Sequence, residues 1–494
     1  MRRSTTFLLS LSLLLACFVS VVSAQEIPPR PEGLSYPPLS FDVPSAEKLK
    51  EQLDNQTPVY ISEDRLLPLI SVRAYFKGGQ YMEPADKAGL ADLTGEVWRT
   101  GGAGDLDPNA LDEEIDFLAA SISTSVGPVT GSISLNLLAK DLDRGLELMM
   151  DVLLRPQFDQ SRLDKAKEDF LASMKRRNDD TSDIESREWN RLIYGEDHWL
   201  NRLPTQGSIG GITREDLIAF HQRITNPANM IIAVAGDFDR ASMLAKLNAT
   251  FGKLEAREEA LPAIPQPATQ PAPGIYIVNK EDVNQGRVSI GHIGLKQPVE
   301  EEFDLGIAND ILGGSGFTSW VMSRVRSDEG LAYSAGTSFG IGNTIPGTFR
   351  AYFQTKSASC ARAAQLTIDL IKKMRIEGPS EAELATSSAS FIQTFPNRFQ
   401  SALQTVGLYA MDDLFERPHE YWVSYRDRVR QVTVQSSKDA ADKYIHPDDF
   451  IVLIVGNAEE ILKGDIEHPD ITFEKMGPIY RVPLRDPLTQ EVME

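Results

Sequence analysis

Residues 226–236 of this chain read Asn-Pro-Ala-Asn-Met-Ile-Ile-Ala-Val-Ala-Gly, a turn that leads into a short apolar run. Residues 446–456 read His-Pro-Asp-Asp-Phe-Ile-Val-Leu-Ile-Val-Gly and follow the same plan. Proline is tolerated where a strand begins, and a short apolar run after turn residues is typical of a buried strand. Both stretches therefore predict a turn followed by a buried strand.

The two stretches belong to a longer repeat. Thr213 and Thr433 each lie fourteen residues before the proline of the following turn. Threonine is a good N-cap, and each of these residues precedes an amphipathic helical pattern. Gly236 and Gly456 are 220 residues apart, and so are the two threonines. A helix, turn and strand repeated at one fixed spacing indicates two copies of one unit.

Each copy combines strands with long amphipathic helices, which predicts an α+β fold of two homologous α/β sandwich halves, each a mixed sheet with helices on one face. The predicted strands include 70–76, 287–293 and 331–339, and the predicted helices include 87–99, 141–154, 161–177, 302–312 and 359–375. Residues 261–274 contain five prolines, a composition typical of an extended linker between the halves. The predicted segments are a signal peptide at 1–24, an extended segment at 25–47, a first domain at 48–256, the linker at 257–274 and a second domain at 275–484.

The N-terminus has the pattern of a secretory signal peptide. Two arginines precede an apolar run over residues 7–22, and Ser23 and Ala24 are small residues at the expected cut. The run is shorter than the ~20 residues that span a bilayer. We therefore expect an exported chain, periplasmic or secreted, without a transmembrane span. A lipoprotein that carries its lipid on Cys17 is the alternative.

The composition excludes some classes of function. The 494 residues include 71 acidic and 50 basic side chains, a formal net charge of −21. This balance argues against nucleic acid, which requires a basic face. We favour solubility as the explanation of this acidity. The alternative is an acidic surface that attracts basic peptides. Cys360 is the only cysteine after the predicted signal peptide, so no intramolecular disulfide is expected.

The helix predicted after the first strand carries a family signal. Residues 89–101 read Gly-Leu-Ala-Asp-Leu-Thr-Gly-Glu-Val-Trp-Arg-Thr-Gly. Here the chain resembles the insulinase/pitrilysin-like zinc metallopeptidases, which include the mitochondrial processing peptidase and carry Gly-Leu-Ala-His-x-x-Glu-His at this place. In that family two histidines four apart hold zinc, the glutamate between them activates water, and a downstream glutamate is the third ligand. The resemblance covers about residues 48–480.

The same resemblance indicates what this chain lacks. Asp92 and Glu96 stand at the two histidine positions, Gly95 stands at the glutamate position, and Ser173 stands at the third-ligand position. None of the six histidines forms a pair with a spacing that would replace them. Two carboxylates make a poor site for a hard cation, and a solvated helix face is the interpretation we favour. We predict a non-catalytic member of the family with a degenerate zinc motif and no metal or other cofactor of its own.

The second copy keeps a different part of the family pattern. Residues 312–319 read Leu-Gly-Gly-Ser-Gly-Phe-Thr-Ser, and residues 326–333 read Arg-Ser-Asp-Glu-Gly-Leu-Ala-Tyr. The glycine-rich stretch lacks the Lys-Ser/Thr ending of a P-loop, so a helix-ending turn is the better interpretation. The family uses an arginine and a tyrosine seven positions apart to hold the peptide and to stabilise the oxyanion, and Arg326 and Tyr333 fit that spacing. In the alternative interpretation the pair has no function: Tyr333 is a sheet residue, and Arg326 is a surface charge at a helix end.

These features lead to a hypothesis of a shared active site. The chain would contribute substrate binding and oxyanion stabilisation to a heterodimeric zinc metalloendopeptidase, with the zinc in a homologous partner subunit that carries an intact His-x-x-Glu-His. The family binds peptides by adding a strand to a sheet edge, so peptides or unfolded segments are the expected substrates. The alternatives are a purely structural member, similar to core subunits of respiratory complexes, and a hydrolase with an unfamiliar site. No Ser-His-Asp or Cys-His pattern favours the last of these.

Overall fold

Two six-stranded mixed sheets form the centre of the molecule, one from each copy of the repeat. The structure is a computed structural model that describes residues 40–258, 260–268, 272–465 and 467–493. The predicted signal peptide at 1–24, with Cys17, and most of the predicted segment at 25–47 lie outside the described residues. None of the helices in the described ranges is long and apolar enough to cross a membrane.

The strands of the first sheet come from the chain before the linker, and those of the second sheet come after it; we call these two parts the first half and the second half. The strands are β1 (Lys50–Gln52), β2 (Pro58–Glu63), β3 (Leu69–Lys77), β4 (Ser121–Val126), β5 (Thr130–Leu138), β6 (Met230–Gly236), β7 (Gly274–Asn279), β8 (Gln285–Ile293), β9 (Leu295–Lys296), β10 (Ala332–Phe339), β11 (Ile341–Gly342), β12 (Thr348–Lys356), β13 (Ile451–Gly456) and β14 (Ile479–Val482). The first sheet has the order β1-β2-β6-β3-β5-β4, and the second has the order β10-β12-β8-β13-β7-β14.

Helices connect the strands and cover the sheets. They are α1 (Ala46–Leu49), α2 (Leu90–Thr100), α3 (Pro108–Phe117), α4 (Leu142–Leu154), α5 (Gln160–Met174), α6 (Thr181–Tyr194), α7 (Gln206–Gly211), α8 (Arg214–Ile224), α9 (Arg240–Ala249), α10 (Glu302–Asn309), α11 (Trp320–Met322), α12 (Cys360–Ile376), α13 (Glu381–Thr394), α14 (Ala402–Leu414), α15 (Glu420–Gln431), α16 (Val434–Tyr444), α17 (Ala458–Leu462) and α18 (Phe473–Met476). The predicted α+β class, with two mixed sheets covered by helices, is confirmed.

The repeated helix, turn and strand have the same structure in both halves. Thr213 caps α8 and Thr433 caps α16, each in a reciprocal capping box with the residue three positions later. The strands that follow, β6 and β13, are buried along their whole length. β6 lies between parallel β2 and antiparallel β3, and β13 lies in the same way between β7 and β8. Both predicted N-caps and both predicted buried strands are therefore confirmed.

Some helix ends differ from the predicted ones. The helix predicted at 87–99 begins at Leu90, because Gly89 is its N-cap in a left-handed conformation with φ of 97°. The segment predicted as one helix at 302–312 forms two helical pieces. The α-helix α10 ends at Asn309, and a π-helix follows over Asp310–Gly314. Apolar spacing in a sequence does not separate such neighbouring helical forms, and helix ends are the least predictable part of an element.

Two helices cross from one half of the molecule to the other, an arrangement that the repeat does not predict. α6 belongs to the first half and packs on β8 and β13 of the second sheet. α14 belongs to the second half and packs on β2 and β6 of the first sheet. Each sheet therefore carries a helix of the other half on one face. We call these the inner faces, and their coverage explains why β6 and β13 are buried on both sides.

A buried carboxylate joins α6 to the second sheet. Glu185 is 1% exposed, and it forms ion pairs with Arg287 Nε at 2.8 Å and with Arg350 Nη2 at 2.9 Å. The hydroxyl of Ser289 donates a third hydrogen bond to Glu185 Oε1 at 2.5 Å. A buried ion is tolerated only when it is paired and hydrogen-bonded in this way. The cluster therefore fixes α6 on the strands β8 and β12.

A second polar cluster joins α14 to the first sheet. Tyr60 of β2 donates a hydrogen bond to Asp413 Oδ2 at 2.8 Å, and His419 Nε2 lies 2.9 Å from Asp413 Oδ1. Lys50 Nζ forms a short ion pair with the same carboxylate. Burial, together with the neighbouring Asp413, raises the pKa of Tyr60 above its usual value. The phenol therefore stays protonated and keeps its role as a donor.

The proline-rich linker contains no helix or strand in its described residues up to Pro273. His198 Nε2 and Trp199 Nε1 each lie 3.1 Å from the carbonyl oxygen of Pro265. These contacts hold the middle of the linker against the first half, and the sequence pattern does not predict them. The domain boundaries at 48–256 and 275–484 stay predictions.

We expect Glu185→Ala to lower the free energy of unfolding by about 3 kcal/mol, because it leaves Arg287 and Arg350 without their shared counter-charge. Urea unfolding followed by tryptophan fluorescence measures the change. Glu113→Ala is the matched control, since Glu113 is an exposed helical acid, and its effect should stay within about 0.5 kcal/mol. Equal effects of the two substitutions would show that the buried cluster does not hold the halves together.

Candidate functional site

The helix that carries the zinc-motif positions, α2, begins at a buried acid. Glu83 is 8% exposed and accepts hydrogen bonds from the backbone N–H groups of Gly89 at 3.4 Å and Ala91 at 2.6 Å. The first N–H groups of a helix lack partners within the helix, so a carboxylate is favourable there. Burial is nevertheless the largest effect on this group, and it raises the pKa of Glu83 to about 7.

The two positions that correspond to histidines in the zinc motif hold carboxylates in different surroundings. Asp92 is partly buried, and its Oδ1 accepts a hydrogen bond from Gln80 Nε2 at 3.2 Å. Burial raises the pKa of Asp92 above its usual value, which disfavours its charged form. Glu96 lies one turn later and is exposed. Glu96 therefore agrees with the favoured interpretation of a solvated helix face, whereas the partly buried Asp92 does not.

Backbone packing leaves no room for a side chain at Gly95, the position that corresponds to the glutamate base. Gly95 is buried, and a Cβ atom placed on it would meet the backbone nitrogen of Val126 at 2.9 Å and Ser125 Cα at 3.3 Å. Thr124 Oγ1 also donates a hydrogen bond to the carbonyl oxygen of Gly95 at 2.7 Å. A larger side chain at residue 95 would therefore require α2 and β4 to move apart.

The predicted third-ligand position does not complete a metal site. Ser173 lies on α5 and is exposed. In the described part of the chain, no group of three or more His, Cys, Asp or Glu side chains is arranged to hold a metal ion. A hydroxyl, a glycine and two acids in these surroundings do not match the tetrahedral nitrogen, sulfur and oxygen donors of zinc. The residues present do not fit a catalytic zinc.

The structure brings the other predicted pair together. The Arg326 guanidinium lies over the Tyr333 ring with its carbon 4.4 Å from the ring centroid, and Nη1 donates to the Tyr333 carbonyl oxygen at 2.5 Å. The same guanidinium lies 4.8 Å from the ring centroid of Phe317. Tyr333 is 83% exposed and Phe317 is 67% exposed. We call these three side chains the Phe–Arg–Tyr stack.

Two irregularities of the backbone position Arg326 and Tyr333 at the surface. Arg326 lies in a π-helix over Ser323–Asp328, a form that is rare outside short functional segments. Tyr333 lies where the register between β10 and β12 shifts, between Ala332 and Ala335. Such a bulge re-aims side chains. Tyr333 is thus a sheet residue, as the non-functional interpretation predicts. Its side chain is also exposed to solvent beside Arg326.

Phe317 is the member of the stack that the sequence analysis does not single out. It lies in the 3₁₀ turn Gly316–Thr318, directly after the π-helix Asp310–Gly314. Gly316 has a left-handed φ of 66°, which ends the helical segment and agrees with the predicted helix-ending turn. A large apolar residue next to glycines is the signal that would have marked Phe317 as exposed.

Comparison with known proteins identifies the relatives of this chain. Residues 211–390, which include the Phe–Arg–Tyr stack, match the family profile described as the peptidase M16 inactive domain. The predicted resemblance to the insulinase/pitrilysin-like peptidases is confirmed by this match. The matched residues follow the degenerate zinc positions in the chain, and the description of the profile as an inactive domain agrees with a non-catalytic relative of these peptidases.

Two relatives illustrate the range of similarity. The chain is 23% identical over 429 residues to a Helicobacter pylori protein named as a non-peptidase homologue, covering 84% of this chain and 96% of that protein. It is 26% identical over 259 residues to an uncharacterized zinc protease of Mycobacterium leprae, covering 52% of this chain and 57% of that protein. The chain thus spans nearly all of the first relative and little more than half of the second.

A solved structure supports the fold. The crystal structure of a peptidase M16 inactive domain from Pseudomonas fluorescens superposes on this chain with a TM-score of 0.74 and 24% sequence identity. The superposition covers 82% of this chain and 97% of that chain. At this identity the likeness establishes a shared fold, and function has to be argued from the site itself.

We expect Gly95→Ala to lower the free energy of unfolding by about 1–3 kcal/mol, although alanine is the better helix former, because its Cβ would press on the β4 backbone. Gly210→Ala is the matched control, because Gly210 is also helical and a Cβ there meets nothing within 4 Å. The control should be neutral or stabilising by up to about 1 kcal/mol. A neutral Gly95→Ala would contradict the closed packing of α2 on β4.

We expect the stability of the chain to depend on pH through Glu83. The folded-state pKa of about 7 lies above the ordinary value of 4.5, so the folded protein holds this proton more tightly than the unfolded chain does. The contribution of Glu83 to stability is therefore full below pH 4.5 and is lost as the pH rises to about 7.

Urea unfolding of the native protein and of Glu83→Gln between pH 4 and pH 9 measures this effect. The difference in unfolding free energy between the two proteins should change between pH 4.5 and 7 and stay constant above that range. A difference that is constant over the whole range would show that Glu83 titrates normally.

Proposed function

We propose that this chain is the non-catalytic subunit of a heterodimeric M16 zinc metalloendopeptidase, to which it contributes substrate binding and oxyanion stabilisation. One observation carries the proposal. The Phe–Arg–Tyr stack presents two hydrogen-bond donors and a large aromatic surface to solvent, in a chain whose zinc positions cannot hold the metal. A homologous partner with an intact His-x-x-Glu-His would supply the zinc, and this chain would supply the opposing half of the site.

The chemistry of the stack fits this role. Arg326 forms no ion pair with any described residue, and it uses only Nη1 on the Tyr333 carbonyl oxygen, so its remaining N–H groups are free. The Tyr333 hydroxyl likewise has no hydrogen-bond partner in the described part of the chain. Guanidinium and phenol groups are hydrogen-bond donors that can stabilise a developing oxyanion or hold a peptide carbonyl.

Extended peptides are the substrate class that the sheets favour. β4 and β10 are edge strands, so each leaves one row of backbone donors and acceptors without a strand partner. An added peptide strand pairs with such an edge through its own backbone, which tolerates many sequences. Tyr333 lies on the edge strand β10, so a strand added there would pass beside the stack. Peptides or unfolded segments in the periplasm or outside the cell are the proposed substrates, since the N-terminus predicts export.

We expect Tyr333→Phe to lower the kcat of the reconstituted pair about 100-fold while the two chains still associate, because it removes one oxyanion donor. The measurement combines cleavage of an unfolded reporter protein with size-exclusion chromatography of the mixture. Tyr444→Phe is the matched control: it removes a phenol that binds Glu301 outside the stack, and it should leave kcat unchanged.

Two outcomes would overturn the proposal. Zinc-dependent cleavage by this chain alone would make it a complete enzyme. Unchanged cleavage by the pair after Tyr333→Phe and Arg326→Ala together would make it a structural subunit, the alternative that the family also contains. The zinc content of each purified chain distinguishes the first outcome from contamination by the partner.

A further inference from the structure

Glu329 is an acid that lies close to Arg326 in the chain and does not pair with it. It directly follows the π-helix that carries Arg326, and its side chain is 15% exposed. Residues three apart on an α-helix are neighbours, so a regular helix would place Glu329 beside Arg326 and favour an ion pair between them. The structure shows no ion pair between these two side chains, because the carboxylate has other partners.

Two other arginines bind the Glu329 carboxylate, one at each oxygen. Arg324 Nη2 lies 2.8 Å from Glu329 Oε1, and Arg362 Nη2 forms a short ion pair with Glu329 Oε2. The Arg362 side chain is 19% exposed, and salt screens a partly buried pair of this kind less than an exposed one. Asp328, the acid next to Glu329, also lies by Arg324, with its Oδ2 3.6 Å from Nη1. Both acids are therefore held by arginines other than the one in the Phe–Arg–Tyr stack.

The winding of the π-helix decides which arginine lies beside Glu329. Backbone hydrogen bonds in a π-helix join residues five apart, and the Glu329 N–H donates to the Arg324 carbonyl oxygen at 3.2 Å in this way. Glu329 and Arg324 therefore lie about one turn apart, whereas Arg326 is displaced around the helix axis. The π-helix thus places Glu329 next to Arg324 and leaves Arg326 without an acidic neighbour on its own segment.

Arg362 stands where its own helix disfavours a cation. It is the third residue of α12, and the first turn of a helix carries the positive end of the helix dipole. A cation at that place is unfavourable unless a nearby acid compensates it, and Glu329 is the acid with which Arg362 pairs. The pair with Glu329, and not the helix, therefore accounts for this arginine.

We propose that Arg324 and Arg362 are positioning residues that hold the Glu329 carboxylate away from the stack. The Arg326 guanidinium thereby stays free of an internal counter-charge. The inference rests on the proposed function, in which Arg326 meets a peptide carbonyl or a developing oxyanion. A guanidinium that already binds a carboxylate has fewer free donors, and the carboxylate repels a second negative charge beside it. The three side chains thus prepare Arg326 without touching the substrate.

Modification of the purified full chain by phenylglyoxal, followed for each peptide by mass spectrometry, tests this inference. The reagent attacks the neutral guanidine, a form that an ion pair disfavours. In the double variant Arg324→Gln/Arg362→Gln, Glu329 loses both partners, and Arg326 is the arginine that the π-helix retains. We expect the rate at Arg326 to fall about threefold, the effect of one exposed ion pair. Addition of Glu329→Gln should restore the native rate.

Arg375→Gln is the matched control. It removes an ion pair of the same kind, with Asp442 at 2.8 Å, from the other end of α12. This variant should leave the rate at Arg326 unchanged. Unfolding of the double variant would expose Arg326 and raise its rate, and a third substitution would not reverse it, so the expected fall and recovery do not arise from lost stability.

Cleavage by the reconstituted pair separates this inference from the function on which it rests. We expect kcat to fall about threefold in the double variant and to recover in the triple variant. A rate of modification at Arg326 that does not fall in the double variant overturns the inference. A fall that Glu329→Gln does not reverse overturns the assignment to Glu329. Slower modification with unchanged kcat supports the positioning by Arg324 and Arg362, and it overturns the proposed role of Arg326 in the reaction.

Discussion

The ion cluster of Glu185 is the interaction on which the arrangement of the two sheets depends. It fastens a helix of the first half to the strands of the second half, where Arg287 and Arg350 share one buried carboxylate. The Tyr60–Asp413 contact joins α14, a helix of the second half, to the sheet of the first half. Because each half inserts a helix into the other, neither sheet completes its core alone, and the inner faces are held in a fixed relation.

The degenerate metal site is lost in shape as well as in chemistry. Two carboxylates and a hydroxyl stand at the ligand positions, a glycine stands at the position of the base, and the close packing of Gly95 against β4 leaves no space for a larger side chain there. An interior this dense does not accept a larger side chain without moving its neighbours.

The second half contains three local irregularities of the backbone. A π-helix carries Arg326, a bulge carries Tyr333, and a glycine turn carries Phe317. Each of these departures lowers the regularity of an element, and together they leave two aromatic rings and a guanidinium exposed. Exposed aromatic side chains of this kind are expected where a chain binds another molecule.

The sequence by itself determined the repeat, the two capped helices, the two buried central strands and the degenerate zinc positions, because turn residues, caps and apolar runs act locally. It also predicted Arg326 and Tyr333 as a pair, from spacing within a family pattern. Only the tertiary structure decided that α6 and α14 each pack on the sheet of the other half, and that Gly95 packs closely on β4. Those features join residues far apart in the chain, and their partners are set by packing and register, which no local pattern encodes.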